Sequence, residues 1–241
     1  VVDLESLFER RTEREWAEYA RKLDQSPTLQ ACEAALAAQS PYYWIWHPLQ
    51  WVWTKDEYDE KVAYKPFPHE PALVEILEEI HEHPVTFIAK SRQLSVTWLM
   101  CAYLCWWARF RDSQLCMIQS KKEDDAANLV YAKEAGVGRI DFIEGRLPFW
   151  MQVPRLNAFG EIVYRHNGSK IMGVPQGGDI VRSNTVSLYF GDEAAFQPEF
   201  KNAYRAAKQC ARKIVAVSSA EPSDFGIMGE FQSPITMGAV G

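Results

Sequence analysis

The sequence has no C-x-x-C pair, and its five cysteines (Cys32, Cys101, Cys105, Cys116, Cys210) are an odd number. Three of them lie in strongly apolar surroundings, where a free thiol acts as a small hydrophobe. That pattern speaks against a disulfide-stapled secreted scaffold and for a reduced, intracellular protein. A membrane-crossing stretch is also missing: the longest apolar run, Trp98–Ala108, is far shorter than the ~20 residues a helical span requires. The opening V-V-D-L-E-S-L has neither a basic start nor an apolar core, so no secretory signal is read there. Positive charge is not in excess. At a net charge of −6 the chain cannot coat itself in nucleic acid through a diffuse field, and any DNA contact must be local or built by several subunits. Internal repeats and low-complexity tracts are absent. His81 and His83 flank Glu82, but with no further His or Cys nearby they read as a solvated helix end rather than a metal site.

What is present is a chain of 241 residues, long enough to bury roughly 70–75% of its unfolded surface. Of its nine tryptophans, Trp44, Trp46, Trp51 and Trp53 fall in one short stretch and Trp106 and Trp107 in another. Residues 3–39 are rich in Glu, Arg, Ala and Leu and predict one or two helices broken at Ser26-Pro27, with Pro27 suited to a first helical position. Residues 40–68 are aromatic and punctuated by proline, an irregular segment expected to pack over the core rather than to stack on bases. Leu73, Ile76, Leu77 and Ile80 recur at helical spacing up to Pro84. Then come a strand (Val85–Ala89), a helix apolar nearly all round (Thr97–Phe110), a strand (Leu115–Ser120) and a polar helix from Lys122 to Ala135. Asn167-Gly168 sits between Glu161–Arg165 and Ser169–Val174, a hairpin signal. Two more buried strands, Val186–Phe190 and Lys213–Val217, flank a helix over Pro198–Ala211. Strands alternating with helices imply a mainly parallel sheet covered on both faces.

The chemistry falls at strand ends. Lys90 to Thr97 (K-S-R-Q-L-S-V-T) joins the strand Val85–Ala89 to the buried helix, where a phosphate-binding loop belongs. Helix-start N–H groups and the positive end of the helix dipole hold anionic oxygens there. Against the pattern G-x-x-x-x-G-K-[ST], Lys90 falls on the first Gly, Ser95 on the second, Val96 on the Lys and Thr97 on the hydroxyl residue. Only the threonine matches. The second signal is S-L-Y-F-G-D-E-A-A-F, in which an apolar strand ends in Asp192 and Glu193. Asp192 is placed to hold Mg²⁺, and Glu193 to orient and deprotonate an attacking water. In the third, the strand Lys213–Val217 ends in Ser218, Ser219 and Ala220. Small hydroxyl residues there can sense a γ-phosphate, or can form a plain strand-ending turn.

Together, K-S-R-Q-L-S-V-T, D-I-V-R-S-N-T-V-S-L-Y-F-G-D-E-A-A-F and V-A-V-S-S-A-E-P resemble the ATPase domain of tailed-bacteriophage large terminase subunits, over about Phe67 to Phe231. Many members of that family carry the loop lysine displaced to the start of the loop and an arginine two residues later. A residue other than Lys precedes their Ser/Thr, as with Lys90, Arg92 and Thr97 here. The resemblance implies a P-loop NTPase of α/β class, a mainly parallel central sheet flanked by helices, with a β-hairpin insertion and an N-terminal helical extension. Residues 1–66 would be the extension packed on the core and 67–231 the ATPase core. Residues 232–241 would be a linker remnant toward an absent nuclease domain. It also implies ATP and Mg²⁺ as ligands. Lys90, Ser91, Arg92, Gln93, Leu94, Ser95, Val96 and Thr97 would cradle the nucleotide, Lys90 on the β- and γ-phosphates and Arg92 on the γ-phosphate. Thr97 and Asp192 would ligate Mg²⁺, Glu193 would be the catalytic base, and Ser218, Ser219 and Ala220 would couple hydrolysis to DNA movement. Two departures stand out. Ser95 replaces a family Gly, and its Cβ is expected to crowd the nucleotide or strain the loop. The stretch Phe67 to Pro71 lacks the Gln that reads adenine.

The same resemblance implies double-stranded DNA, a portal and a small terminase subunit as partners, in the host cytoplasm, with no membrane. It implies a ring of copies during packaging and a monomer in isolation, with an arginine from one subunit completing the next subunit's site; Arg139 and Arg146 are the candidates. Arg182 is expected to support the site from the approach to the Asp192 strand. Lys201, Arg205, Lys208 and Arg212, spaced by four, three and four, stack on one helix face, either as a strip for phosphates or as a solvated face. Two other functions fit the motifs: a helicase-like nucleic-acid-dependent ATPase, and a non-catalytic nucleotide-binding assembly module.

Overall fold

The computed structural model describes residues 11–55, 64–90, 95–132 and 138–219. Helix α1 (Glu13–Gln25) starts at Thr12, whose hydroxyl and the Glu15 carboxylate cap each other's backbone. Ser26 caps α2 (Pro27–Gln39), with Pro27 in the first turn, so the expected break is a tight helix-to-helix joint. The aromatic segment forms a short helix α3 (Pro41–Ile45) and a two-stranded ribbon of β1 (Trp53–Thr54) and β2 (Lys65–Pro66). Trp44 and Trp51 are fully buried, Trp44 lies edge-on to Phe110, and the Trp106 indole N–H donates to the carbonyl of Ala37 at 2.7 Å.

Helix α4 (Pro71–Glu82) buries Leu73, Ile76, Leu77 and Ile80, as their spacing demands. The core then runs β3 (Val85–Lys90), α5 (Val96–Arg109), β4 (Leu115–Gln119), α6 (Glu123–Val130) and α7 (Arg139–Arg146). Next come β5 (Arg155–Ala158), β6 (Glu161–Tyr164), β7 (Lys170–Val174), α8 (Asp179–Arg182), β8 (Val186–Asp192), α9 (Phe200–Cys210) and β9 (Ala211–Ser219). Helix α6 stops at Val130, short of the expected Ala135, and Tyr131 is extended. Helix α7 and strand β5 carried no periodicity long enough to announce them.

The sheet order is β3-β9-β8-β4-β7-β6-β5; the first five strands run parallel, and β6 and β5 are antiparallel additions at the edge. This is the expected α/β architecture, and the hairpin is not a side excursion: β7 pairs with β4, so β6 and β5 extend the main sheet. At its turn, the Asn167 side-chain amide donates to the carbonyls of Ala108, Arg109 and Arg111, which pins the hairpin to the end of α5. Side chains on β8 and β9 alternate between two apolar layers. Leu188, Phe190, Val215 and Val217 face α5, while Tyr189, Ile214 and Ala216 face α9. Every residue of α5 except Trp107 is buried. Arg109 at its end forms a buried ion pair with Glu144 of α7, whose carboxylate also accepts from the Tyr164 hydroxyl at 2.8 Å. No helix among the described residues is long and apolar enough to cross a membrane.

Candidate functional site

Because β3, β9, β8 and β4 are parallel, their carboxyl ends share one edge of the sheet, where ligands of open α/β folds bind. The last residues of these strands are Lys90, Ser219, Asp192 and Gln119. Strand β9 lies between β3 and β8, with Lys90 opposite Ser219 and Asp192 opposite Val217. Thus Ser218 and Ser219 end midway between the loop lysine and the paired carboxylates.

The first turn of α5 reaches across this edge. Thr97 Oγ1 donates to Asp192 Oδ1 at 3.0 Å, and both residues are buried. Burial pushes the Asp192 carboxyl up to about 6, helped by the charge of Glu193; the Thr97 hydrogen bond and the charges of Arg139 and Lys90 act against the rise. A hydroxyl and a carboxylate held together in a buried site are hard oxygen donors, a set that suits Mg²⁺.

Glu193 has φ 49° and ψ 48°, the left-handed region, which for a residue with a Cβ costs about 1–3 kcal/mol and is characteristic of functional sites. The turn swings its carboxylate away from Asp192 and toward β3 and β9. There it accepts from Lys90 Nζ at 3.2 Å, from the Ser219 N–H at 3.2 Å and from Ser219 Oγ at 3.2–3.3 Å. Ser218 Oγ accepts from the Ala195 N–H at 3.1 Å, fastening the turn that follows. The two adjacent carboxylates therefore have separate surroundings, one beside a hydroxyl and the other beside a lysine and a serine.

Of the residues singled out in the sequence, Lys90, Thr97, Asp192, Glu193, Ser218 and Ser219 come together at this edge. Ser91, Arg92, Gln93, Leu94 and Ala220 lie outside the described residues. Val96 is fully buried in the core. Ser95 precedes α5 with φ −67°, ordinary for any residue, and the loop its Cβ was expected to strain lies outside the described residues. Its side chain makes no cap bond, which leaves the first N–H groups of the fourteen-residue α5 without that partner. Arg139, at the start of α7, has its guanidinium 5.1 Å from the centre of the Trp98 ring and acts electrostatically on Asp192 of its own chain. Arg146, at the other end of α7, packs over Tyr64 and Phe142. Arg182 does not approach the site: it lies at the opposite end of β8, about 20 Å along the strand from Asp192, and pairs with Asp179 at 3.1 Å. In the Phe67–Pro71 stretch, His69 hydrogen-bonds the Tyr42 hydroxyl at 3.0 Å and the Pro68 carbonyl accepts from the Trp46 indole at 2.9 Å.

Two glutamines escaped the sequence reading. Gln197 Nε2 donates to the Asp192 carbonyl at 2.7 Å and to the Gln119 carbonyl at 3.2 Å, bracing the end of β8 against β4. Gln119 in turn donates to the carbonyls of Pro175 and Gly177 and accepts from the Tyr189 hydroxyl. Neither carries a sequence signal: Gln119 ends a strand and Gln197 follows the turn after Glu193, and each looks like any polar loop residue until the fold is known.

No family model and no curated protein matches the chain. Among solved structures it is similar to the large terminase of bacteriophage HK97, at 11% identity and a TM-score of 0.53, over 65% of this chain and 34% of that one. It is also similar to the ATPase domain of the Thermus phage P74-26 large terminase (13% identity, TM-score 0.43, 66% of this chain and 68% of that one). A third is the large terminase of a thermophilic bacteriophage in complex with ADP (13%, 0.46, 63% and 39%). The first of these likenesses shows the fold alone, and this chain spans about a third of that protein's length.

Proposed function

We propose that the chain is an ATP-hydrolysing motor domain that drives double-stranded DNA into a viral procapsid, with Mg²⁺ as its cofactor. The observation that carries the reading is the Thr97–Asp192 hydrogen bond beside a separately held Glu193, on the carboxyl edge of a parallel sheet and at the start of α5. Lys90 would bind the β- and γ-phosphates, with Ser91, Arg92, Gln93, Leu94 and Ser95 wrapping them. Thr97 and Asp192 would hold Mg²⁺, which when bound neutralises charge on the phosphate oxygens. A water oxygen bonds to the γ-phosphorus, the bond from that phosphorus to the bridging oxygen breaks, ADP leaves, and the proton of the water goes to a Glu193 carboxylate oxygen.

Without nucleotide, Lys90 and Glu193 neutralise one another. Phosphate oxygens compete for the lysine, so the base is released toward water when substrate is in place. Ser219 keeps its hold on Glu193 through that exchange, which would let Ser218, Ser219 and Ala220 report loss of the γ-phosphate to the rest of the motor. Arg139 and Arg146 are the candidates for completing a neighbour's site in a ring. A portal, a small terminase subunit and the host cytoplasm complete the proposed setting.

The test is steady-state hydrolysis of Mg²⁺-ATP across protein concentration, beside Lys90→Ala. Turnover that requires Lys90 and rises more than linearly with concentration supports a motor completed by its neighbour. Turnover indifferent to Lys90 rejects the assignment, and nucleotide binding without turnover at any concentration moves the chain to the assembly-module reading.

A further inference from the structure

The basic residues at 201–212 are not one helix face. Helix α9 ends at Cys210, so Lys201, Arg205 and Lys208 belong to it while Arg212 stands on β9. The inward face of α9 is Phe200, Ala203, Tyr204, Ala206 and Ala207, all buried; Arg205, Lys208 and Arg212 are exposed. No carboxylate among the described residues pairs with those three. Past the end of α9 the strip continues into a groove of 490 Å³ lined by Arg182, Ser183, Asn184, Thr185, Gln209 and Arg212. Arg182 is paired with Asp179, and the Ser183 hydroxyl and Asn184 amide donate to backbone carbonyls of α8, which leaves Arg212, Gln209 and Thr185 as the groove's donors for anionic oxygens.

We propose that this strip and groove form the surface on which the domain grips the sugar-phosphate backbone of duplex DNA, an assignment that rests on the motor reading above. The chain carries a net charge of −6, so a run of Lys201, Arg205, Lys208 and Arg212 is a local exception of the kind DNA contact requires. Lys201 to Lys208 covers about 10 Å of helix, three rises along one strand of a duplex. An acidic protein is the poorer fit. Protein interfaces are centred on buried aromatic or apolar anchors, and the exposed large apolar side chains among the described residues (Tyr64, Phe149, Leu156, Phe159) all lie on other elements. The strip also connects mechanically to the nucleotide edge. Gly191, the residue before Asp192, sits so close to Phe200 in the first turn of α9 that a Cβ would meet the ring at 2.6 Å. A shift at the end of β8 would therefore be transmitted to the start of α9.

The experiment is fluorescence anisotropy of a labelled 30-base-pair duplex with the whole chain, titrated over 50–200 mM salt. Arg205→Gln/Lys208→Gln/Arg212→Gln is compared with a control that removes the same charge from α1, Arg14→Gln/Arg21→Gln/Lys22→Gln. Wild type is expected to show a log–log salt slope of about −4, that is ~10²–10³-fold weaker binding across the range. The strip variant should bind at least about tenfold more weakly at 50 mM and have its slope flattened by about 3, with the α1 control unchanged. Equal losses in both variants would show a net-charge effect and overturn the assignment. So would an unchanged affinity in the strip variant, including the case in which that variant loses self-association in sedimentation, which would make the face a protein contact. Hydrolysis of ATP without DNA, measured in parallel, should be the same in all three. Failure of that activity in wild type rejects the motor reading, while the duplex titration still decides the surface.

Discussion

Replacing Asp192 by Asn should make the protein more stable and inactive at once. The carboxyl is buried beside Glu193, and its rise from 3.8 to about 6 corresponds to about 3 kcal/mol against holding it ionised in the fold. The direction follows from proton linkage. A folded-state value above the unfolded one means the native state binds the proton more tightly, so this group's contribution is fully present below pH ~4 and is lost as pH rises through ~6. Asn keeps an oxygen to accept from Thr97, now 3.0 Å away, and has no charge to bury. The stability gap between variant and wild type should therefore be near zero at pH ~4 and reach up to ~3 kcal/mol at pH ~7.5. Urea denaturation followed by tryptophan fluorescence at the two pH values measures it. A gap that is equal at both, or a variant less stable than wild type at the higher pH, would refute the reasoning. Loss of Mg²⁺-ATP hydrolysis in the stabilised variant would be the stability–activity trade-off expected of a working site.

Other positions test other links. Gly191→Ala should cost about 1–3 kcal/mol, because the added carbon meets Phe200 and α9 must shift; thermal denaturation checks it. Arg109→Met leaves the buried Glu144 with only Arg155, 3.8 Å away, as its cation and should destabilise by up to about 3–5 kcal/mol, with part of the loss recovered by adding Glu144→Gln in the same urea assay. Ser219→Ala removes one hydroxyl bond to Glu193 but keeps the backbone one, so turnover should fall about tenfold or less with nucleotide affinity unchanged. An equal loss of affinity would mean that Ser219 contacts the nucleotide itself.

Much of this was legible in the sequence because the apolar runs are long and sharply bounded. Val85–Lys90, Leu115–Gln119 and Val186–Asp192 are β-rich segments that end at charged or amide residues, and α5 is buried on all sides, so strand, helix and carboxyl edge followed together. The pairing order was not legible. That β9 inserts between β3 and β8, and so delivers Ser219 to Glu193, is a tertiary fact with no local signature. Arg182 was misassigned for the same reason: it stands ten positions before Asp192, but a strand carries it to the opposite end of the sheet. The left-handed turn at Glu193 was equally hidden, since Gly or Asn would have advertised it and Glu does not. Helix α7 was missed because it is short, and with it the approach of Arg139 to the site of its own chain.

The most direct test of the central claim is to measure ATP binding and ATP turnover on Glu193→Gln beside wild type in Mg²⁺. The account predicts that the variant binds ATP at least as well, since Lys90 is no longer paired to a carboxylate, while turnover drops by about 10²-fold or more. Turnover unchanged in the variant, or no nucleotide bound by wild type, would contradict it.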